Sequence, residues 1–109
     1  MAGLDANSTA GMNFDLAEVD GHDLTVTING ELDITNVDAL ESAVGSALQH
    51  HPGRLIVELR GLQFADSSAI ALWVRWSTAV HEIELRDVSP ILRRVIDSMG
   101  LADTLNVKS

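Results

Sequence analysis

The sequence predicts an α/β domain. Its expected form is a mixed sheet of four to five strands flanked by helices, in the order β-β-α-β-α-β-α. Three observations carry this. Two early segments alternate apolar and polar residues and are joined at Asp20-Gly21, a pair suited to a tight hairpin turn. Further on, short apolar runs alternate with segments whose apolar residues recur at helical spacing. The chain has 109 residues, enough for one domain to bury a core without disulfide or metal staples.

The elements follow in order. The opening MAGLDANSTAG is small, polar and unpatterned and reads as a flexible tail over 1–11, with the domain spanning 12–107. Met12, Phe14 and Leu16 share one face of a first strand; Leu24, Val26 and Ile28 share one face of a second, with Thr25 and Thr27 opposite. Thr35 or Asn36 is placed to cap a helix, since either side chain offers an oxygen to an orphan backbone N–H. Val37, Leu40, Val44, Ala47 and Leu48 give that helix its apolar stripe, and His50-His51-Pro52-Gly53 ends it. RLIVEL, a short apolar run with β-branched residues, suits a strand covered on both faces. SSAIALWVRWSTAV predicts a second helix starting near Ser67 or Ser68. HEIELRD predicts a strand with Ile83 and Leu85 inward. Ser89-Pro90 pairs a capping residue with proline at the first helical position. Leu92, Val95, Ile96 and Met99 continue that helix to Gly100, and LADTLNV forms a last turn or strand. Strands separated by helices call for parallel pairing through right-handed crossovers.

Composition narrows the function classes. Apolar residues form 46% and charged residues 21% of the chain, the balance of an ordinary globular domain. There is no cysteine, which excludes disulfides, thiolate catalysis and zinc–thiolate sites and fits a reducing compartment. Sixteen acidic against seven basic residues give a net charge of −9, and the basic residues are scattered, which argues against a nucleic-acid partner. No leader pattern and no apolar run of about 18 residues is present, so a soluble cytoplasmic protein without direct membrane contact is expected. His22, His50, His51 and His81 make no metal-ligand spacing, no Gly-rich phosphate loop exists, and no Ser-His-Asp arrangement can be defended. No cofactor, metal or enzymatic activity is expected.

Sites in such sheets form at the carboxyl ends of parallel strands. Asp33, Asp66 and Asp87 fall there, and Ser67-Ser68 follows Asp66 at a helix start. Two readings fit. The serines are plain capping residues, or one of them accepts a phosphate, which the partial positive charge of the helix end favours and which adds about two negative charges beside the aspartates. Trp73 and Trp76, three residues apart, share a helix face and serve either the core or an apolar patch for a partner.

GELD at 30–33, VELRGLQFADSSAIAL at 57–72 and LRDVSPILRRVIDSMGLADTLNV at 85–107 together resemble the anti-sigma-factor antagonists, small stand-alone STAS domains. The likeness covers about residues 12–107. It implies a non-enzymatic switch in the control of sigma-factor-dependent transcription. The unphosphorylated domain binds an anti-sigma factor that is also a serine kinase, phosphorylation releases it, and a phosphatase resets it. By motif position the phosphoacceptor is Ser68, with Ser67 as the alternative, and Asp33, Asp66, Ser67, Ser68 and Ala69 form the partner surface. Three features depart from the family pattern. Ala69 stands where glycine is usual, the run from the second helix into the next strand lacks a Gly-rich turn, and the tryptophan pair is unusual. A second reading is a STAS accessory subunit of an ABC or lipid transporter, docking through the tryptophan-bearing helix without phosphorylation. A third, nucleotide binding, is opposed by the net charge and the missing phosphate loop.

Overall fold

The computed structural model describes residues 8–9, 11–19 and 22–108. Along them run strands β1 (Ser8–Thr9), β2 (Met12–Val19) and β3 (Asp23–Leu32), helix α1 (Val37–Leu48), strands β4 (Arg54–Glu58) and β5 (Leu62–Ala65), helix α2 (Ser67–Ala79), strand β6 (Glu82–Arg86) and helix α3 (Pro90–Ser98). The strands form one mixed sheet in the order β1-β2-β3-β4-β6, with β5 also paired to β3. The expected order therefore holds with two additions, the two-residue β1 and the four-residue β5. Ser8 and Thr9 pair with Asn13 and Met12, inside the stretch expected to be tail.

β2 and β3 pair antiparallel from Met12↔Gly30 to Val19↔Asp23; the Asp20-Gly21 turn lies outside the described residues. β3, β4 and β6 are parallel. Stepping from β3 to β4 and on to β6 moves in one direction across the sheet. Two right-handed crossovers in one direction place α1 and α2 on the same face. All three helices bury side chains in a single cluster with Leu24, Val26 and Ile28 of β3, Leu55 and Val57 of β4, and Ile83 and Leu85 of β6.

The other face is polar. The register aligns Asp23, Arg54 and Glu82 in one row, Thr25, Ile56 and Glu84 in the next, and Thr27, Glu58 and Arg86 in a third. β4 was expected to be covered on both faces. Leu55, Ile56 and Val57 are indeed buried, but Ile56 lies on the polar face, in one row with Thr25 and Glu84. Arg54 donates to Asp23 at 2.9 Å and lies 3.7 Å from Glu84, which Arg86 also contacts. Buried Glu84 is thus paired on both sides, as an ionised group must be when removed from water.

α1 buries Val37, Leu40 and Val44. Its cap departs from expectation: Asn36 occupies the capping position but makes no side-chain cap. α3 starts as read from Ser89-Pro90, with the serine hydroxyl accepting from Leu92 N at 3.2 Å. Leu92 and Ile96 turn inward, whereas Val95 and Met99, counted at inward spacing, are exposed. The final segment closes on β6, with Leu85 N donating to Asn106 O and Lys108 N to Leu85 O.

Candidate functional site

The site begins with an interruption in a strand. β4 follows β3 in parallel as far as Thr27↔Glu58, then the chain turns through Leu59, Arg60 and Gly61 and returns to the same edge of β3 as β5. Gly30 N donates to Gly61 O at 2.9 Å at this handover, and the register shifts between Gly30 and Glu31. Gly30 has φ +92 and its missing Cβ would stand 2.2 Å from Gly11 O, so only glycine fits. β5 then pairs Leu32 with Ala65, so Asp33 and Asp66 leave the sheet side by side. Four residues with half-exposed side chains give too little periodicity for β5 to be foreseen.

Asp66 is the cap of α2; the helix starts at Ser67, and neither serine caps it. Asp66 Oδ1 accepts from Ser68 N at 2.9 Å and from the Ser68 hydroxyl. Asp66 Oδ2 accepts from Ile34 N at 3.2 Å, and Asp66 N donates to Leu32 O at 3.3 Å. One carboxylate therefore ties the helix start to the loop after β3. The Ser68 hydroxyl, with backbone donors from Ser68, Ile34 and Ala69, holds the Asp66 carboxyl below its ordinary value of 3.8 against the opposing effect of burial.

The partner loop is braced separately. Asp33 Oδ1 accepts from Thr35 N at 2.9 Å and from Thr35 Oγ1 at 2.5 Å. Asn36, almost wholly buried, accepts from Asp33 N through Oδ1 and donates through Nδ2 to Glu31 O, both at 2.9 Å. Asn36 and Ile34 belong to the site's frame. The sequence offered Asn36 only as a cap, and a backbone contact such as that of Ile34 leaves no mark on residue type.

Of the predicted residues, Asp33, Asp66, Ser67 and Ser68 come together; Ser67 is exposed and Ser68 half-buried. Ala69 does not join that surface. It is fully buried, because the first turn of α2 rotates its methyl into the core. Asp87 also lies elsewhere, 3.5 Å from Arg60 and within hydrogen-bonding reach of Glu58. Burial and that neighbour raise the Glu58 carboxyl, while the hydrogen bond to Glu58 lowers Asp87. The partner patch allowed for Trp73 and Trp76 is corrected as well. Both are buried, at 0% and 2% exposure, since α2 turns this stripe onto the sheet. Their indole N–H groups meet no acceptor among the described residues. The outward side of α2 carries Ser67, Ala71, Arg75 and Thr78, and Arg75 grips Glu41 of α1 through two hydrogen bonds of 3.0 and 3.1 Å.

Among the described residues no group of three or more His, Asp or Glu side chains could hold a metal, and no helix is long and apolar enough to cross a membrane.

A mixed sheet with its helices on one face, and a serine held by an aspartate cap where the inner strands end, define the architecture of a small α/β domain. The family model described as "Mlab, STAS domain" matches residues 16–107. The chain belongs to the STAS-domain family. It is 28% identical over 87 residues to the anti-sigma-F factor antagonist RsfB of Mycobacterium tuberculosis, covering 77% of this chain and 71% of that protein. Its fold is similar to the crystal structure of an anti-sigma factor antagonist from Mycobacterium paratuberculosis, with a TM-score of 0.80, 23% identity, and 88% and 84% of the two chains covered. It is also similar to the unphosphorylated anti-sigma factor antagonist SpoIIAA, with a TM-score of 0.76, 23% identity and 88% of each chain covered.

Proposed function

We propose that this protein is an anti-sigma-factor antagonist whose binding is switched by phosphorylation of Ser68. In its unmodified form it binds an anti-sigma factor with serine-kinase activity through the surface of Asp33, Asp66, Ser67 and Ser68. The observation that carries the reading is the Asp66 carboxylate, which accepts from the Ser68 hydroxyl with one oxygen and from Ile34 N with the other. The anti-sigma factor antagonists that it resembles in sequence and fold support the same reading.

The chemistry follows from that arrangement. Ser68 Oγ forms a bond to the γ-phosphorus of ATP, ADP leaves with the electron pair of the broken P–O bond, and the hydroxyl proton passes to a base of the kinase. Ser68 then has no hydrogen to donate to Asp66, and about two negative charges stand beside that carboxylate. The N-terminus of α2 partly offsets them. Asp66 is pushed from Ser68, and its contact with the loop after β3 is strained, so both the charge and the shape met by a partner change. Ser68 is the better acceptor than the more exposed Ser67 because its hydroxyl is already oriented. A phosphatase reverses the step.

The test is incubation with the cognate kinase and ATP, followed by intact-mass measurement and pull-down. One phosphate is expected on the wild type and none on Ser68→Ala. Ser68→Ala should keep the anti-sigma factor and Ser68→Asp should lose it. A wild type that stays unmodified, or a Ser68→Asp form that binds as well as Ser68→Ala, sinks the proposal.

A further inference from the structure

Beside the site lies a groove that the phosphorylation chemistry does not use. It has a volume of about 340 Å³ and runs between β5 and the first turns of α3. Leu62 and Phe64 form one wall, Ile91 and Val95 the other. Phe64 is 52% exposed and Ile91 78%, and Ile34, which is 71% exposed, belongs to the loop bound by Asp66. Nothing in the fold's stability calls for these side chains to be in water. Exposed apolar groups gathered at one place mark a surface that another molecule covers.

Charge identifies the occupant. Glu31 is the register partner of Phe64, and Asp33 and Asp66 follow at the ends of β3 and β5. On α3, Arg93 is rotated away from the groove and lies 4.0 Å from Asp97, leaving Arg94 at the edge. The rim is net acidic, and so is the chain, at −9. A second copy of the chain would bring like charge against like.

We infer that the groove between β5 and α3 docks an amphipathic, basic helical segment of a partner protein, its apolar stripe against Phe64 and Ile91 and its cations toward Glu31, Asp33 and Asp66. The inference rests on the proposed function only for which protein presents the helix.

The test uses two synthetic peptides with leucine at helical spacing, one filled with lysine and its twin with glutamate. Each is titrated into the 15N-labelled protein. The lysine peptide should shift the amides of β5, of the first turns of α3 and of Ile34; the glutamate twin should not. Ile91→Asp makes the protein still more acidic yet should weaken the lysine peptide by about tenfold or more, as removal of a central apolar anchor does. Val95→Asp serves as the second variant should Ile91→Asp not fold. Shifts centred elsewhere, equal binding of the twin, or unchanged affinity in both variants overturns the inference. So does self-association, or sedimentation with phosphatidylcholine vesicles, that Ile91→Asp abolishes. If Ser68 takes no phosphate and the peptide still maps to the groove, the docking site stands and the switch falls. If Ser68 is phosphorylated and the variants bind normally, the reverse holds.

Discussion

Replacing Asp66 by alanine tests the hinge of the site. The carboxylate accepts from Ser68 N, from the Ser68 hydroxyl and from Ile34 N, and it places a negative charge at the start of α2. Loss of a side-chain cap costs about 1 kcal/mol. Loss of the charge at the helix end adds about 0.5 kcal/mol. Ile34 N is exposed, so water replaces most of that bond, leaving about 0.5 kcal/mol or less. Asp66→Ala should therefore lose about 2 kcal/mol, and Tm should fall by about 10 °C. Asp66→Asn keeps a capping oxygen and should lose about 0.5 kcal/mol. Urea unfolding followed by the fluorescence of buried Trp73 and Trp76 measures both. The pH dependence has a definite sign. A carboxyl depressed in the folded state stabilises it above the ordinary value of 3.8, and that stability is lost as pH falls through the depressed value. The gap between wild type and Asp66→Ala should hold from neutral pH into the weakly acid range and narrow below it by the part that belongs to the charge, since a protonated carboxyl keeps a capping oxygen. A gap that does not narrow in strong acid, or an asparagine variant as damaged as alanine, refutes the reasoning.

Other outcomes follow from the same structure. Gly30→Ala should cost about 1–3 kcal/mol, because a Cβ would strike backbone at a positive φ. Gly61→Ala should cost less, because its Cβ meets the end of the Asn29 side chain, which can turn aside; paired urea titrations decide the order. Trp73→Ala should cost about 3–5 kcal/mol by opening a cavity. Trp73→Phe should cost about 1–2 kcal/mol, since it also removes a buried N–H that has no acceptor among the described residues. Glu58→Gln should raise stability at neutral pH. The raised Glu58 carboxyl helps the fold while protonated and loses that help as pH rises through its folded value, whereas glutamine can donate to Asp87 at every pH. Equal stability of the two proteins at neutral and mildly acid pH would contradict the raised Glu58 carboxyl.

Much of the frame was legible in the residues. Alternation in Leu24-Val26-Ile28, the stripe of Val37-Leu40-Val44 and the Ser89-Pro90 start each follow from local rules, and each element formed where those rules put it. The places of Asp33 and Asp66 after strands predict that the two are neighbours. Why they meet was not legible, because the pairing of β5 with the end of β3 is a contact between distant segments. Capping was assigned to serine, yet Asp66, one residue earlier, has the backbone conformation that turns its carboxylate onto Ser68 N. The outward turn of Val95 and Met99 is not legible in the spacing either. Helical spacing gives the stripe, but only packing decides how wide a part of it the core accepts. The tryptophans show the converse, since both fit beneath one helix.

The two-ended grip of Asp66 sets a ceiling on what shape alone can transmit. One end holds the helix that carries Ser68, the other the loop of Ile34. Any signal sent from one to the other through this carboxylate is a coupling free energy no larger than the grip itself, about 1–2 kcal/mol, or roughly five- to thirty-fold in affinity. A partner that must be released more completely than that has to meet the new charge directly. The core, with its helices packed on one face, need not rearrange at all, so the proposed cycle at Ser68 requires no unfolded form.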